Sequence, residues 1–188
     1  LAINLYSYVV NPFKPDAYFD FDLFKKHVAL AQRIMDDIID LELEKIERIM
    51  AKIDSDPENE DVKHTESVLW QKIYKKSGQG RRTGVGITAE GDMLAALGLR
   101  YGTEEATEFA EKVHQTVALS AYRSSVEMAK ERGAFEVYDS EREKNNPFIN
   151  RLREADPEMY EEMKKYGRRN IACLTIAPTG TTSLMTQT

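Results

Sequence analysis

The sequence has little cysteine, no excess of basic residues and no long hydrophobic run. Its single cysteine, Cys173, excludes an internal disulfide framework and any reaction that needs two thiols from this chain, and it fits a reducing cytoplasm. The formal net charge of −6 argues against nucleic acid or an anionic membrane as a partner. No apolar run approaches the roughly 20 residues that span a bilayer, and the opening LAINLYSYVV lacks the basic segment of a signal peptide. We therefore expect a cytoplasmic protein that binds neither membrane nor nucleic acid.

The residues that are present predict a helix-rich α/β protein. Apolar residues make up 41% of the chain and charged residues 31%, which is typical of a globular domain. Apolar residues recur at helical spacing along two long stretches, 20–53 and 103–132, and Gly133 is placed to end the second. Shorter helices are predicted over 67–76, 93–97 and 148–154, and after Pro157.

Extended segments are fewer and more scattered than the helices. They are predicted over 3–10, 83–87, 134–139 and 168–177 from their β-branched and aromatic residues. The segments 3–10 and 168–177 lie at opposite ends of the chain. We expect them either to pair with each other or to have partners outside this chain.

The strongest candidate site is a turn that follows the last extended segment. In LTIAPTGTTSLM (174–185), Pro178 and Gly180 favour a tight turn, and Gly180 would let a ligand approach the backbone closely. Thr181, Thr182 and Ser183 would fall in the first turn of a helix. Free N–H groups, the positive end of the helix dipole and hydroxyl donors would then point the same way, which is the composition of a phosphate site. A threonine that only caps the helix is the alternative.

Metal-ligand patterns are weaker than this turn. Glu111 and His114 form an E-x-x-H pair on one helix face, the spacing used by di-metal carboxylate bundles. Such a site needs a second pair, and the nearest substitute, Asp61 with His64, lies in a region that we expect to be poorly structured. Glu111 and His114 therefore fit an ordinary helix surface better. Three acidic residues of the first long helix are likewise predicted to form a solvated face: Asp36, Asp37 and Asp40.

The remaining reactive or glycine-rich features favour structural roles. Cys173 lies among apolar residues, an environment that raises the pKa of a thiol and keeps it inert. Gly84 and Gly86 form a G-x-G without the third glycine of a dinucleotide-binding loop, and no Walker A sequence occurs. Arg81 and Arg82 could meet an anion, but a simple exposed position is the favoured interpretation.

Three segments, in this order along the chain, resemble the large catalytic subunit of ribonucleotide reductase. They are GRRTGVGITAEGDMLAALGLRYG (80–102), AEKVHQTVALSAYRSSVEMAKERGAFEVYD (110–139) and RRNIACLTIAPTGTTSLM (168–185). The opening LAINLYSYV and the following FDLFKKHVALAQRIMDDIID are also similar to the family. The APTGT form of the turn is most like the adenosylcobalamin-dependent class. Residues 43–79 fit less well and are interpreted as an insertion.

The resemblance implies that residues 1–188 are part of a ten-stranded α/β barrel. The family replaces the ribose 2′-hydroxyl of a ribonucleotide with hydrogen through a cysteine thiyl radical, and its substrates are di- or triphosphates. Adenosylcobalamin as cofactor, a homodimer and the remainder of the reductase polypeptide are implied for the full enzyme. The family assigns binding of the substrate phosphates to five turn residues: Pro178, Thr179, Gly180, Thr181 and Thr182.

The resemblance also implies that the chemistry lies outside these residues. The radical cysteine, in an N-x-C-x-E pattern, is expected shortly before LAINLYSYV, and neither that pattern nor the reducing cysteine pair occurs in the sequence. Cys173 is a candidate for neither role. We therefore expect an internal fragment that holds no catalytic residue, binds no metal or cofactor and by itself reduces no nucleotide. Two other interpretations stay open: a non-catalytic helical interaction module, and a di-metal carboxylate bundle around Glu111 and His114.

Overall fold

Helices dominate the fold. The structure is a computed structural model that describes residues 1–188, of which 67% are helical. The helices are α1 (Phe21–Ser55), α2 (Glu60–Gly80), α3 (Glu90–Ala96), α4 (Glu104–Arg132), α5 (Ser140–Glu143), α6 (Pro147–Ala155), α7 (Pro157–Tyr166) and α8 (Gly180–Thr186). The strands are β1 (Ala2–Asn4), β2 (Val9–Val10), β3 (Tyr18–Phe19) and β4 (Gly86–Thr88). None of the helices combines the length and the apolar character that crossing a membrane requires.

Three extended segments run parallel, and the middle one comes from the centre of the chain. β1 pairs with β4, with Asn4 opposite Thr88. On the other side, Val85 N–H donates to the carbonyl of Cys173 at 2.8 Å, and Val85 also forms a parallel bridge with Leu174. The two ends of the chain therefore flank the 83–88 segment. This corrects both expectations, because the ends neither pair with each other nor lack partners within the chain.

The two long helices begin close to where the sequence predicts, because each has a capping side chain. The Asp20 carboxylate accepts from Leu23 N–H at 2.9 Å at the start of α1, and the Thr103 hydroxyl accepts from Ala106 N–H at 3.3 Å at the start of α4. The helices pack along each other. Buried apolar residues of both enter one core beneath the parallel segments: Phe24, Val28, Val113, Val117 and Ala121.

Residues 43–79, interpreted from the sequence as an insertion, form the last third of α1 and nearly all of α2. The two helices pack against each other and are joined by a short connection. α2 is longer than the predicted 67–76, since the Asn59 side chain caps its start by accepting from Asp61 N–H at 2.9 Å. The region of Asp61 and His64, expected to be poorly structured, is therefore helical. At the other end, α2 continues through Gly80 and ends at Arg81, whose φ is +44°.

Two shorter predictions also differ from the structure. The run 3–10 is not one strand, because a 3-10 turn (Leu5–Tyr8) separates β1 from β2 and lets β2 pair with β3 in an antiparallel hairpin. The stretch 134–139 contains a turn and no strand; Phe135 N–H donates to the carbonyl of Arg168 at 3.0 Å. The helices predicted over 148–154 and after Pro157 are present as α6 and α7.

Candidate functional site

The turn singled out in the sequence lies where the third extended segment ends. The last ladder contact of that segment is Thr175 N–H to the carbonyl of Val85, at 3.1 Å. Pro178 and Thr179 follow in a turn that Gly180 N–H closes on the carbonyl of Pro178 at 2.7 Å, and α8 begins at Gly180. The chain thus places the start of a helix directly after a strand-like segment, which is the local arrangement of many anion sites.

Two backbone donors at the start of α8 have no acceptor in the protein. Thr181 and Thr182 N–H groups lie too early in the helix to reach an intrahelical carbonyl, and no other atom of the chain accepts from them. The Thr179 side chain, at the N-cap position, does not cap them either. The pure capping alternative is therefore not realised, and the two N–H groups remain available to an external acceptor.

A small cleft lies beside this turn and against the parallel segments. Its volume is about 170 Å³, and no charged side chain lines it: the lining residues are Leu1, Ala2, Gly86, Ile87, Thr175, Ala177, Pro178, Thr179 and Thr182. An anion here would meet backbone N–H groups and hydroxyls, without a lysine or arginine from these residues.

The G-x-G at 84–86 has a packing role next to this cleft. A Cβ atom at Gly86 would lie 2.4 Å from the carbonyl oxygen of Thr175, and one at Gly84 would lie 2.9 Å from the Thr175 Cγ2 atom. Both distances are shorter than real Cβ contacts, so the close approach of the two segments requires glycine. The glycines therefore set the position of the chain that leads into the turn.

A buried ionic cluster lies at the other end of the parallel segments, where sequence reasoning expected exposed residues. We define it as Asp36, Arg81, Arg169 and Asn170. Asp36 has a fully buried side chain, and Arg81 Nε donates to its Oδ1 atom at 2.7 Å. Asn170 Nδ2 donates to the same oxygen at 2.9 Å, and Arg169 Nε donates to Oδ2 at 3.2 Å. The predictions of a solvated Asp36 and an exposed Arg81 are both wrong.

The cluster joins distant parts of the sequence and explains why its residues can be buried. Burial opposes ionisation of Asp36, but the hydrogen bond and the charge of Arg81 outweigh it, so the pKa of Asp36 is lowered. Asn170 Nδ2 also donates to the carbonyl of Arg81, and Gln32 Nε2 donates to Asn170 Oδ1 at 2.9 Å. These hydrogen bonds fix the position of α1 relative to the starts of the second and third parallel segments.

The acidic side chains of α1 are paired with arginines. Oxygen atoms of Asp36, Asp37 and Asp40 lie within 4.8 Å of one another. Each carboxylate nevertheless contacts a guanidinium group at 2.7 Å, Arg81 for Asp36 and Asp40 and Arg132 for Asp37. The arginines supply the positive charge that a cation would bring.

The E-x-x-H pair on α4 has one further carboxylate beside it. Glu111 is exposed, and His114 Nε2 lies 3.2 Å from the Glu90 carboxylate of α3. The Asp61–His64 pair lies on α2 as exposed residues. The structure therefore brings one glutamate, Glu90, to this pair, whereas a di-metal carboxylate site needs a second E-x-x-H pair and two further glutamates.

Cys173 lies in the core, as its neighbours in the sequence predict. It is fully buried, and burial raises the pKa of its thiol to about 12. Arg168, close by, is also buried: its guanidinium donates to Glu143 Oε1 at 2.6 Å and to the carbonyl of Ile171 at 3.0 Å. The first arginine of the R-R-N sequence thus orders the chain just before Cys173, which keeps the thiol out of contact with solvent.

Comparison with known proteins identifies the family to which this chain belongs. Residues 2–188 match the family model described as "Ribonucleotide reductase, barrel domain". This chain belongs to the ribonucleotide reductase family. The match confirms the resemblance drawn from the sequence and favours it over a helical interaction module or a di-metal bundle.

Curated ribonucleotide reductases align with nearly all of the chain. The vitamin B12-dependent ribonucleoside-diphosphate reductase of Thermoplasma acidophilum is 31% identical over 98% of the chain, which is 18% of that protein. The protein of the same name from Mycobacterium tuberculosis (strain H37Rv) is 26% identical over 100% of the chain and 20% of its own length. The ribonucleoside-diphosphate reductase subunit alpha of Chlamydia pneumoniae is 25% identical over 97% of the chain and 16% of its own length. The chain thus spans about a fifth of the length of these reductases.

Proposed function

We propose that this chain is part of the catalytic barrel of a ribonucleotide reductase, and that its turn 178–182 binds the phosphates of the substrate. The observation that carries the proposal is the pair of unpaired N–H groups of Thr181 and Thr182 at a helix start beside a cleft. Phosphate oxygens are strong acceptors, and a helix start adds the positive end of its dipole. The turn residues of the proposal are Pro178, Thr179, Gly180, Thr181 and Thr182.

The proposed reaction replaces the ribose 2′-hydroxyl with hydrogen by a thiyl-radical mechanism. We assign the substrate to the ribonucleoside diphosphates, because the aligned relatives are named ribonucleoside-diphosphate reductases. The contribution of this chain is binding and orientation: holding the diphosphate at the turn fixes where the ribose lies. We assign Cys173 a structural role and not that of the radical residue, because its side chain is fully buried in the core.

Vitamin B12 in the names of two aligned relatives makes adenosylcobalamin the proposed cofactor of the whole enzyme. The residues of this chain do not fit that group. His27 contacts the hydroxyl of Tyr8 at 3.0 Å, His114 contacts Glu90, and His64 lies on the exposed surface of α2, so each histidine either contacts another side chain of this chain or is exposed. We assign the cofactor to the rest of the polypeptide and attribute no step of this chain to it.

The surroundings of the turn in the whole enzyme are also part of the proposal. The three parallel segments would be neighbouring strands of the ten-stranded barrel, with α1 and α4 on its outside. The antiparallel pair that the end of α1 forms with α2, within residues 43–79, would be an insertion in that barrel. The remainder of the reductase polypeptide would supply the other strands, the radical cysteine and the surface of a homodimer.

The test is to replace Gly180 with valine in the intact reductase and to measure the dissociation constants of CDP and cytidine. A Cβ atom at Gly180 meets no protein atom within 4 Å, so the added side chain enters open space beside the turn. Because hydrogen bonds to charged groups are worth about 1.5–3 kcal/mol, we expect CDP binding to weaken roughly ten- to hundredfold. Cytidine binding and radical generation should not change.

Gly91 provides the matched control. It also lies near a helix start, and a Cβ atom there also meets nothing within 4 Å. Gly91→Val should bind CDP as the unchanged enzyme does. If Gly180→Val bound CDP with unchanged affinity, the phosphate assignment would be wrong.

A further inference from the structure

One side of α1 carries a row of exposed aliphatic side chains, which we call the α1 stripe. Its five residues have between 41% and 63% of their surface exposed: Leu23, Leu30, Ile34, Ile38 and Leu41. Spacings of three, four and seven residues place them on one face of the helix. The row between them contains His27 and no lysine, arginine or acidic residue. Single exposed apolar residues are ordinary, but a contiguous row of them marks an interaction surface.

The α1 stripe lies on the flank of the helix that faces away from α4. Arg33 and Asp37 are the residues that reach α4, through Arg33 Nη2 to Glu131 Oε2 at 2.6 Å and Arg132 Nη1 to Asp37 Oδ1 at 2.7 Å. The stripe residues at 34 and 38 come one position later, and are therefore turned by about 100° from them.

The same flank of α1 faces the side of the fold on which β1 lies. His27, which belongs to the row of the stripe, contacts the hydroxyl of Tyr8 at 3.0 Å. Tyr8 ends the 3-10 turn that directly follows β1. The stripe thus continues from the end of the first parallel segment along the outside of the fold.

β1 has an open edge on this side. It pairs with β4, and no other strand of the chain pairs with it. Open strand edges in native proteins are paired with another strand or covered. In parallel α/β architectures each strand brings a helix that packs beside the helix of its neighbour. One further strand and helix would therefore pair with the edge of β1 and cover the α1 stripe together.

The rest of the polypeptide is better suited to supply this helix than a second copy of the chain. The chain makes up only 18% and 20% of the two vitamin B12-dependent relatives, so most of such a protein lies outside it. A stable interface between two proteins takes roughly 20–30 residues from each partner, and the stripe has five. A neighbouring helix within one domain needs only such a row, because its side chains fit between residues spaced by four.

We propose that the α1 stripe is the docking surface for a helix of the same polypeptide outside residues 1–188, the helix that accompanies the strand next to β1. The contact is intramolecular and apolar. This inference rests on the proposed function in one respect, namely that the chain is part of a larger barrel. It does not depend on whether the turn 178–182 binds phosphate.

The test is the accessibility of an introduced cysteine in the intact reductase. Leu30 of the stripe and Leu69 of α2 provide a matched pair, because each is 54% exposed in this chain. Leu30→Cys and Leu69→Cys are each treated with a maleimide, and the labelled peptide is quantified by mass spectrometry. We expect the cysteine of Leu30→Cys to react at least about tenfold more slowly, since it is reached only when the packed helices open locally. CDP reduction by each variant verifies that it is folded.

A second matched pair keeps the test decisive if Leu30→Cys does not fold. Ile34 of the stripe is 43% exposed and Val62 of α2 is 44% exposed, so Ile34→Cys and Val62→Cys can replace the first pair. Slow labelling of the stripe at every protein concentration would support the inference. Equal labelling within a pair would overturn it, because the stripe would then face solvent.

Protection that disappears on dilution of the enzyme would also overturn the inference, since a second copy would then cover the stripe. Gly180→Val separates these failures from a failure of the proposed function. If Gly180→Val weakens CDP binding while the stripe is labelled freely, the phosphate turn stands and only the docking surface is wrong.

Discussion

Removing the Asp36 carboxylate tests the buried ionic cluster most severely. In Asp36→Ala, Arg169 would lose its one ionic partner, at 3.2 Å, and the buried Arg81 would lose its contact at 2.7 Å and keep only the half-exposed Asp40. Removing one partner of a buried ion pair costs about 3–5 kcal/mol, because the remaining charge is uncompensated. Asp37 is the matched control: it is the next residue, its side chain is 56% exposed, and its one ionic contact is with Arg132. Asp37→Ala should cost less than about 1 kcal/mol.

The assay is urea unfolding of the 188-residue chain, followed by circular dichroism. For a slope of about 2 kcal/mol per molar urea, a loss of about 4 kcal/mol lowers the midpoint by about 2 M.

The contribution of Asp36 to stability depends on pH, and the sign of that dependence follows from its pKa. Since the folded-state pKa of Asp36 is lowered from 3.8, its contribution is present above about pH 4 and is lost as the pH falls through the folded pKa. The difference in the free energy of unfolding between the unchanged chain and Asp36→Asn should therefore shrink only in acid. Equal midpoints for Asp36→Ala and Asp37→Ala would refute the reasoning.

The remaining predictions concern the packing around the turn and the thiol. Gly86→Ala should destabilise the chain by about 1–3 kcal/mol, because its Cβ atom would lie 2.4 Å from the Thr175 carbonyl oxygen. Gly91→Ala, in open space on α3, should be neutral or stabilising in the same thermal melts, and a matching loss there would contradict the packing argument. Cys173, fully buried and with a raised pKa, should react with a disulfide reagent at pH 8 far more slowly in the folded chain than in the urea-unfolded chain. Reaction at the free-thiol rate in the folded chain would show that the residue is accessible.

The parts of the fold that the sequence predicts well are those fixed by local signals. α1 and α4 have long apolar faces and capping side chains, Asp20 and Thr103, so their starts follow from residues close together in the sequence. The turn before α8 is equally local, because Pro178 and Gly180 determine where the extended segment ends. These elements carry the family resemblance as well.

The parts that the sequence does not predict depend on contacts between distant residues. Asp36 has the same local pattern as its exposed neighbours, and only Arg81 and Asn170, 45 and 134 positions away, make it a buried residue. The pairing of both chain ends with 83–88 is also non-local. Composition does not predict which residues of these segments lie opposite each other.

The central claim is that the turn 178–182 holds the diphosphate of the substrate, and a crystal structure of the intact reductase with bound CDP tests it most directly. We predict phosphate oxygens about 2.7–3.2 Å from the backbone nitrogens of Thr181 and Thr182. CDP bound with its phosphates elsewhere, and with those two nitrogens facing only solvent, would contradict the claim.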